Sequence, residues 1–184
     1  DALEFWNQNS GIVIGDPVDG KIFIARSFDG GDSWRGLPAA NYPTADAGEA
    51  LFASSGTNIV KLNQQEAVFV TGGKRSRLFI RDLKLDLPIV QGKEYTGANS
   101  VAVFDEKNII IVGGDFTNDT SRSSNCVLTH DKGKTFVQPA TPPFGYRSCV
   151  TYLTKKKLIT CGTSGIDVSE DGGMNWRNIS KESF

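Results

Sequence analysis

Three aspartates recur in one eight-residue pattern, which makes them the first residues to consider for chemistry. Asp29, Asp131 and Asp171 each stand third in the order hydroxyl, any residue, Asp, any residue, Gly, any residue, polar, aromatic. Such carboxylates could serve in acid–base catalysis or metal binding. They can equally accept N–H groups of their own turn, while the glycine supplies a positive φ. We interpret them as turn-forming residues and not as catalytic groups.

The cysteines and the histidine limit the remaining chemistry. Cys126, Cys149 and Cys161 cannot all pair within one chain, and none has C-x-x-C spacing, which excludes a disulfide scaffold. Free Cys is among the most frequently buried residue types, so we expect buried free thiols and leave one bridge open. His130 is the only histidine, which excludes multi-histidine zinc or iron sites. We therefore expect no metal and no cofactor.

Composition excludes further classes of protein. The 184 residues include 20 Lys and Arg against 21 Asp and Glu, a net charge of −1, with a 39% hydrophobic share. This balance argues against both disorder and nucleic-acid binding. The longest apolar runs are far shorter than the roughly 20 residues that a membrane-spanning helix needs. Residues 1–6 lack the basic start and apolar core of a signal peptide, so we expect either no leader or a removed one.

Internal repetition predicts the architecture. The spacing of the three aspartates leaves room for one degenerate copy, which we place at Ile80–Leu87 with Asp82 retained. The chain then divides into four units of about 46 residues. Each unit contains four short β-branched or aromatic runs separated by Gly, Asn, Asp and Ser, as in a β-propeller blade. We predict an all-β fold of four-stranded antiparallel blades at approximately 1–40, 48–92, 97–139 and 146–180.

The predicted strands, labelled A to D from the propeller axis outward, follow the apolar runs. In the second unit they are Ala50–Ser54, Ala67–Thr71, Arg77–Arg81 and Leu87–Gln91. In the third unit they are Ser100–Phe104, Asn108–Val112, Asn125–Thr129 and Phe136–Gln138.

The repeated pattern resembles the Asp-box, or bacterial neuraminidase repeat, of sialidases and related propellers. A narrower resemblance rests on Gly15-Asp16-Pro17, Val112-Gly113-Gly114-Asp115, Gly145-Tyr146-Arg147-Ser148 and Gly162-Thr163-Ser164-Gly165. These segments are similar to bacterial propellers related to the photosystem II stability and assembly factor. The residues assigned to structural Asp-boxes are Ser27, Asp29, Gly31, Trp34, Thr129, Asp131, Gly133, Phe136, Ser169, Asp171, Gly173 and Trp176.

The resemblance leaves four arrangements open: a fragment, an open array, a ring completed by another chain, and a closed ring of four blades. Asp-box propellers usually have six or more blades, whereas this chain supplies four. An array that does not close leaves strand edges unpaired, and unpaired edges favour association with other chains. We therefore expect either additional sequence or a partner.

The resemblance implies where a ligand would bind. In those families the D–A and B–C loops open on the ligand face, and the Asp-boxes open on the other. Convergent polar groups there would suit a protein or a small anionic or carbohydrate ligand. The candidate ligand residues are Asp16, Glu49, Arg75, Arg77, Asp115, Tyr146, Arg147 and Ser164.

The same residues keep a hydrolase open as an alternative. A sialidase uses an arginine triad, a Tyr nucleophile assisted by Glu, and an Asp acid/base. Arg75, Arg147, Tyr146, Glu49 and Asp16 supply these residue types, but Tyr146 and Arg147 are adjacent, and no Arg-Ile-Pro motif is present. A structural ion pair of Arg147 with Glu49 or Asp115 is an equally good interpretation, so no residue is assigned as catalytic.

These observations favour a non-enzymatic binding or assembly scaffold. The alternatives are a sialidase-like glycoside hydrolase and a carbohydrate-binding or receptor propeller. The resemblance to the assembly factor implies a periplasmic or secreted setting.

Overall fold

The structure is a computed structural model that describes residues 1–54 and 56–184. These residues form seventeen β-strands and two 3₁₀ turns, Ala39–Asn41 and Phe116–Asn118, and no α-helix. Among them, no helix has the length and hydropathy that crossing a membrane requires. The strands are β1 (Ala2–Phe5), β2 (Gly11–Val18), β3 (Lys21–Ser27), β4 (Arg35–Gly36), β5 (Glu49–Ala50), β6 (Ile59–Lys61), β7 (Ala67–Val70), β8 (Gly72–Gly73), β9 (Arg77–Ile80), β10 (Leu83–Asp86), β11 (Thr96–Val103), β12 (Ile109–Asp115), β13 (Cys126–Thr129), β14 (Cys149–Tyr152), β15 (Leu158–Gly162), β16 (Gly165–Ser169) and β17 (Trp176–Ser180).

The strands form four antiparallel sheets, which we call blades 1 to 4. Blade 1 has the order β1-β2-β3-β4, blade 2 the order β6-β7-β9-β10, and blade 4 the order β14-β15-β16-β17. Blade 3 is built on β11-β12-β13, and its inner edge continues through β8 and β5. The all-β propeller prediction is confirmed, with the four blades forming a partial propeller.

The interior of the arc consists of three apolar cores, one between each pair of consecutive blades. Blades 1 and 2 enclose Ile14, Ile22 and Phe69; blades 2 and 3 enclose Val70 and Leu78 with other residues; blades 3 and 4 enclose a third cluster. The inner strands β1, β6, β11 and β14 contact each other in that order. Among the described residues, no apolar cluster joins blade 4 to blade 1.

Strand β12 shows why a continuous apolar run forms the middle of the arc. Ile109 and Ile111 face the core shared with blade 2, whereas Ile110 and Val112 face the core shared with blade 4. All four side chains are fully buried. Side chains alternate between the two faces of a strand, so a strand covered on both faces needs apolar residues at every position.

The strand predictions for blade 2 were wrong at both edges. The inner strand is β6 and not Ala50–Ser54, because Glu49–Ala50 pairs with Gly72–Gly73 instead. The outer strand is β10 and not Leu87–Gln91, because β9 and β10 join through a two-residue turn in which Arg81 adopts φ 51°. The apolar residues Leu87 and Ile89 fill the core between blades 2 and 3.

The outer strand of blade 3 is also shorter than predicted. Instead of a strand over Phe136–Gln138, only Val137 pairs with Leu128, through two backbone hydrogen bonds of 2.8 Å. Phe136 packs against the core between blades 2 and 3. The segment therefore contributes an aromatic side chain to the core more than it contributes backbone pairing to the sheet.

The three repeated turns, Ser27–Trp34, Thr129–Phe136 and Ser169–Trp176, share one hydrogen-bond pattern. The first-position hydroxyl donates to the Asp carboxylate at 2.8–2.9 Å and accepts the fifth-position glycine N–H at 2.8–3.0 Å. The carboxylate also accepts the seventh-position N–H at 2.9 Å. The fifth position requires positive φ, 83° at Gly133. Each aspartate thus has its hydrogen-bond partners inside its own turn.

We predict that these turns make the free energy of unfolding sensitive to acid. Hydrogen bonds from Ser33 and Thr135 lower the pKa of Asp29 and Asp131 to about 2. The pKa of aspartate in an unfolded chain is about 3.9. This stabilisation is therefore present above about pH 4 and is lost as the pH falls towards about 2. Urea unfolding followed by circular dichroism should show the loss over that range. Asp131→Asn should flatten the pH dependence, and an unchanged slope would contradict the prediction.

Candidate functional site

The eight predicted ligand residues lie at one rim of the arc, which we call the loop face. It is formed where the second strand of each blade ends and where the chain arrives at the next inner strand. Hydrogen bonds tie these connections to one another across blades. Asp16 accepts the Leu51 N–H at 2.8 Å, and the Arg147 N–H donates to the Gly113 carbonyl at 2.9 Å.

Glu49 and Arg77 form a buried ion pair at this rim. The Arg77 Nε and Nη2 atoms donate to the two Glu49 carboxylate oxygens at 2.8 and 2.5 Å. Thr71 donates its hydroxyl to Glu49 at 2.5 Å, and the Arg77 guanidinium lies 4.9 Å from the centre of the Phe79 ring. The two charges neutralise each other in a bidentate geometry that secures β5 to β9.

Arg75 is the exposed counterpart of this pair. Its guanidinium bridges Asp46 and Asp86, and the Nε atom lies 2.9 Å from Asp86 Oδ1. The hydrogen bond from Arg75 is the main cause that lowers the pKa of Asp46. Such an exposed bridge contributes little to stability, but it neutralises the positive charge that was expected to face a ligand.

Arg147 forms the second buried ion pair, and its partner differs from the predicted one. The sequence suggested Glu49 or Asp115, whereas the guanidinium binds Asp167 of its own blade through Nε, at 2.7 Å, and Nη2. Its Nη1 atom donates to the Ser164 hydroxyl and to the Tyr146 carbonyl, each at 2.8 Å. Arg147 is 0% exposed. This interaction connects the β15–β16 turn to the start of β14.

Asp167 was not among the predicted site residues, although the sequence carries a signal for it. It stands between Ile166 and Val168 in a run that predicts a strand covered by apolar neighbours. A carboxylate buried in such a strand needs a cation, and the same unit contains two arginines, Arg147 and Arg177. Side chains alternate along β16, and Asp167 shares the buried face of this strand with Ser169, whereas Ile166 and Val168 are only partly buried.

Tyr146 lies on the loop face, and its hydroxyl is hydrogen-bonded within the chain. The hydroxyl donates to Asn99 Oδ1 at 2.9 Å, and Ser54 donates to the same oxygen at 3.0 Å. Burial raises the pKa of Tyr146. A nucleophilic tyrosine needs an adjacent base to remove its proton. The two hydroxyls instead converge on a neutral amide.

Asp115 performs a local structural task. Its Oδ1 atom accepts the Thr117 hydroxyl at 2.6 Å and the N–H groups of Thr117 and Asn118, which caps the 3₁₀ turn. The hydrogen bond from the Thr117 hydroxyl is the main cause that lowers the pKa of Asp115. Lys93 lies 3.6 Å from the other carboxylate oxygen. All eight predicted residues therefore have partners within the chain, and their role in ligand binding stays a prediction.

Two exposed aromatic side chains on the loop face were missed by the sequence analysis. Tyr95 is 58% exposed and Phe116 is 54% exposed, and the Phe116 N–H donates to the Tyr95 carbonyl at 3.0 Å. The Phe116 ring meets Tyr146 edge-on, with 5.4 Å between ring centres. We call Tyr95 and Phe116 the aromatic pair. No short-range pattern distinguishes them, because their exposure depends on where the loops of blade 3 lead.

One cavity lies away from the loop face. It measures about 750 Å³ between blades 1 and 2, and its lining includes Trp6, Phe69, Arg26, Glu66 and Arg81. Its floor is the apolar core between these blades, and Glu66 forms ion pairs there with Arg81 and Lys132. In the described ranges, no three His, Cys, Asp or Glu side chains cluster as metal ligands would.

Comparison with known proteins returned structural neighbours only. No protein-family model and no curated protein sequence matches the chain. A GH74 enzyme of Niastella koreensis is 18% identical with a TM-score of 0.60, over 97% of this chain and 30% of that one. YCF48 from Cyanidioschyzon merolae is 15% identical with a TM-score of 0.51, over 90% and 53%. A structure of YCF48 bound to D1 peptide is 15% identical with a TM-score of 0.37, over 96% and 39%.

The GH74 enzyme and the Cyanidioschyzon merolae YCF48 structure support the fold and leave the activity open. The chain spans between 30% and 53% of the length of the three proteins. At identities below 20%, the likeness concerns the backbone architecture, since function depends on the site and not on the fold. The comparisons therefore confirm the propeller architecture that the sequence predicted.

We predict that breaking the Arg147–Asp167 pair destabilises the protein. Arg147→Ala would leave the Asp167 carboxylate buried without its cation, a change that typically costs about 3–5 kcal/mol of unfolding free energy. Urea unfolding measures the loss. Arg177, exposed on β17 of the same blade, offers the matched control, because Arg177→Ala should change stability by less than about 0.5 kcal/mol. Equal effects of the two substitutions would contradict a structural role for Arg147.

Proposed function

We propose that this chain is a non-enzymatic binding scaffold whose loop face takes up a protein partner. The observation that carries the proposal is the aromatic pair, which stands exposed on a rim where Arg75, Arg77 and Arg147 are already paired with carboxylates of the chain. Aromatic residues are enriched at the centres of protein interfaces, and charged residues are depleted there. This composition fits a peptide or protein surface better than it fits a small anion.

Neighbouring residues hold the aromatic pair in place before a partner binds. Phe116 is the first residue of the 3₁₀ turn that Asp115 caps, and its ring rests against the buried Tyr146. Tyr95 precedes β11, the inner strand of the doubly covered blade 3. A contact residue held in place before binding loses little conformational entropy when a partner arrives.

The polar groups beside the pair would surround it as the rim of an interface does. The Lys93–Asp115 ion pair lies next to Phe116 in sequence, and Arg122 stacks on the Phe144 ring at 4.9 Å from the ring centre. Such exposed charges add orientation and association rate more than affinity. The expected arrangement is therefore an aromatic contact at the centre with basic groups around it.

A sialidase-like hydrolase is the second candidate, supported by residue types alone. Each of the three arginines of this rim already binds a carboxylate: Arg75 binds Asp46 and Asp86, Arg77 binds Glu49, and Arg147 binds Asp167. A glycosidase needs an acid with a raised pKa, whereas the pKa shifts of Asp46 and Asp115 are downward. A carbohydrate-binding propeller would use the aromatic pair for stacking and is the third candidate.

The proposal includes the remaining expectations from the resemblance. The repeated turns have the hydrogen bonding that a structural Asp-box requires, and we assign them that role. Association through unpaired blade edges and a periplasmic or secreted setting are also part of the proposal.

We predict that truncating either residue of the aromatic pair weakens binding and leaves the fold intact. Peptides selected from a random display library against the wild-type protein should lose about 2 kcal/mol of affinity, or about thirtyfold in Kd, on Phe116→Ala or Tyr95→Ala. Phe28→Ala provides the matched control, because Phe28 is 62% exposed in a repeated turn. Isothermal titration calorimetry measures the affinities. Equal losses in all three variants, or none in any, would contradict the proposal.

We also predict no turnover of fluorogenic glycosides. A panel that includes sialosides, glucosides and xylosides should give rates equal to those of buffer, because Arg75, Arg77 and Arg147 are each paired with a carboxylate of the chain. Turnover that disappears in Arg75→Ala, a variant of an exposed residue, would overturn the scaffold proposal in favour of the hydrolase.

A further inference from the structure

Cys149 and Cys161 lie directly opposite each other in blade 4. They are register partners in the antiparallel pair of β14 and β15, with Val150 opposite Thr160 as the next pair. Register partners project to the same face of a sheet, so both thiols lie on the face that turns away from blade 3. Both residues are free thiols and half-buried.

The separation of such a pair suits a covalent link. Directly opposed residues of antiparallel strands have Cα atoms about 4.5–5.5 Å apart, and disulfides span Cα separations of about 4.4–6.8 Å. Burial is the main cause that raises the pKa of Cys161, and the neighbouring Cys149 side chain raises it further.

Hydrogen bonds fix the backbone of both cysteines. The Cys161 carbonyl accepts the Ser148 N–H at 2.9 Å, and the Cys149 carbonyl accepts the Thr160 hydroxyl at 2.7 Å. The neighbouring Arg147 is held by Asp167. The register of the two strands is therefore held by hydrogen bonds that involve neither sulfur atom.

We propose that Cys149 and Cys161 form a reversible cross-strand disulfide when the protein meets a disulfide oxidant, such as oxidised glutathione or a thiol–disulfide oxidoreductase. The thiolate of one cysteine attacks the oxidant and releases one thiol. The second cysteine then attacks the mixed disulfide and releases the other. The protein loses two protons and two electrons, and the oxidant disulfide becomes two thiols. This inference is independent of the proposed function.

The third cysteine does not compete for this reaction. Cys126 lies on β13 in the core between blades 3 and 4, on the other side of the blade 4 sheet from the pair. Burial raises the pKa of its thiol far above the usual range. A thiol that is neither ionised nor accessible does not exchange with a disulfide.

The test counts thiols before and after oxidation. The folded chain is treated with excess oxidised glutathione, then unfolded and alkylated, and its mass is measured. Three alkyl groups are expected before treatment and one after it. Trypsin should then yield residues 148–155 joined to residues 158–177, and residues 123–132 should carry the single alkylated cysteine. Dithiothreitol should restore all three thiols.

Two variants sharpen the test. Cys126→Ala should form the same bridge, leaving no alkylated thiol after oxidation. Cys149→Ser should form no intrachain bridge. Three alkylated thiols after oxidation, glutathione adducts that persist in place of the bridge, or a bridge that contains Cys126 would each overturn the proposal.

Discussion

The need to cover both faces of each sheet governs this structure. The strands of a blade carry apolar side chains in both directions, as the division of β12 between two cores shows. Burying apolar surface stabilises a protein by about 25 cal/mol per Å², so each blade gains from a neighbour on either face. Blades 2 and 3 have two neighbours within the arc, and blades 1 and 4 have one.

The repeated turns show the same dependence on neighbours. Phe136 and Trp176, the aromatic residues that end the second and third turns, pack into the core shared with the preceding blade. Trp34, which ends the first turn, has no preceding blade in the arc and is 37% exposed, with its ring edge-on to Phe5 at 5.8 Å. The aromatic residue of the repeated turn is therefore buried only where a preceding blade covers it.

The loop face obeys a different constraint, which is electrostatic. Its strand ends bring arginines and carboxylates into positions with little water, where an unpaired charge is costly. The sequence supplies one acid for each buried base, as in Arg77 with Glu49 and Arg147 with Asp167. These pairs join segments that are distant along the chain. What remains for recognition is the exposed aromatic surface.

The sequence was sufficient to predict whatever depends on local pattern. The repeat length was predicted from the spacing of the Asp-Gly-aromatic turns. These turns are recognisable in the sequence because each makes its own hydrogen bonds within eight residues. Blade 2 lacked such a turn, and its edge strands were misplaced: Leu87 and Ile89 are apolar for packing and not for pairing.

Features that depend on tertiary arrangement could not be predicted. The partner of Arg147 follows from the register of β14, β15 and β16, and the exposure of Tyr95 follows from the path of a connecting loop. The opposition of Cys149 and Cys161 also follows from the register of β14 and β15.

The distribution of the three cores determines which blades open most readily by local unfolding. In arrays where each unit contacts only its neighbours, stability is approximately a sum of unit and interface terms. Opening blade 1 or blade 4 breaks one interface, whereas opening blade 3 breaks two. Amide hydrogens of β12 are then the slowest to exchange with solvent, and protection declines towards both ends of the arc. Tyr95 precedes β11 and Phe116 follows β12, so the aromatic pair belongs to blade 3, whose opening is the rarest.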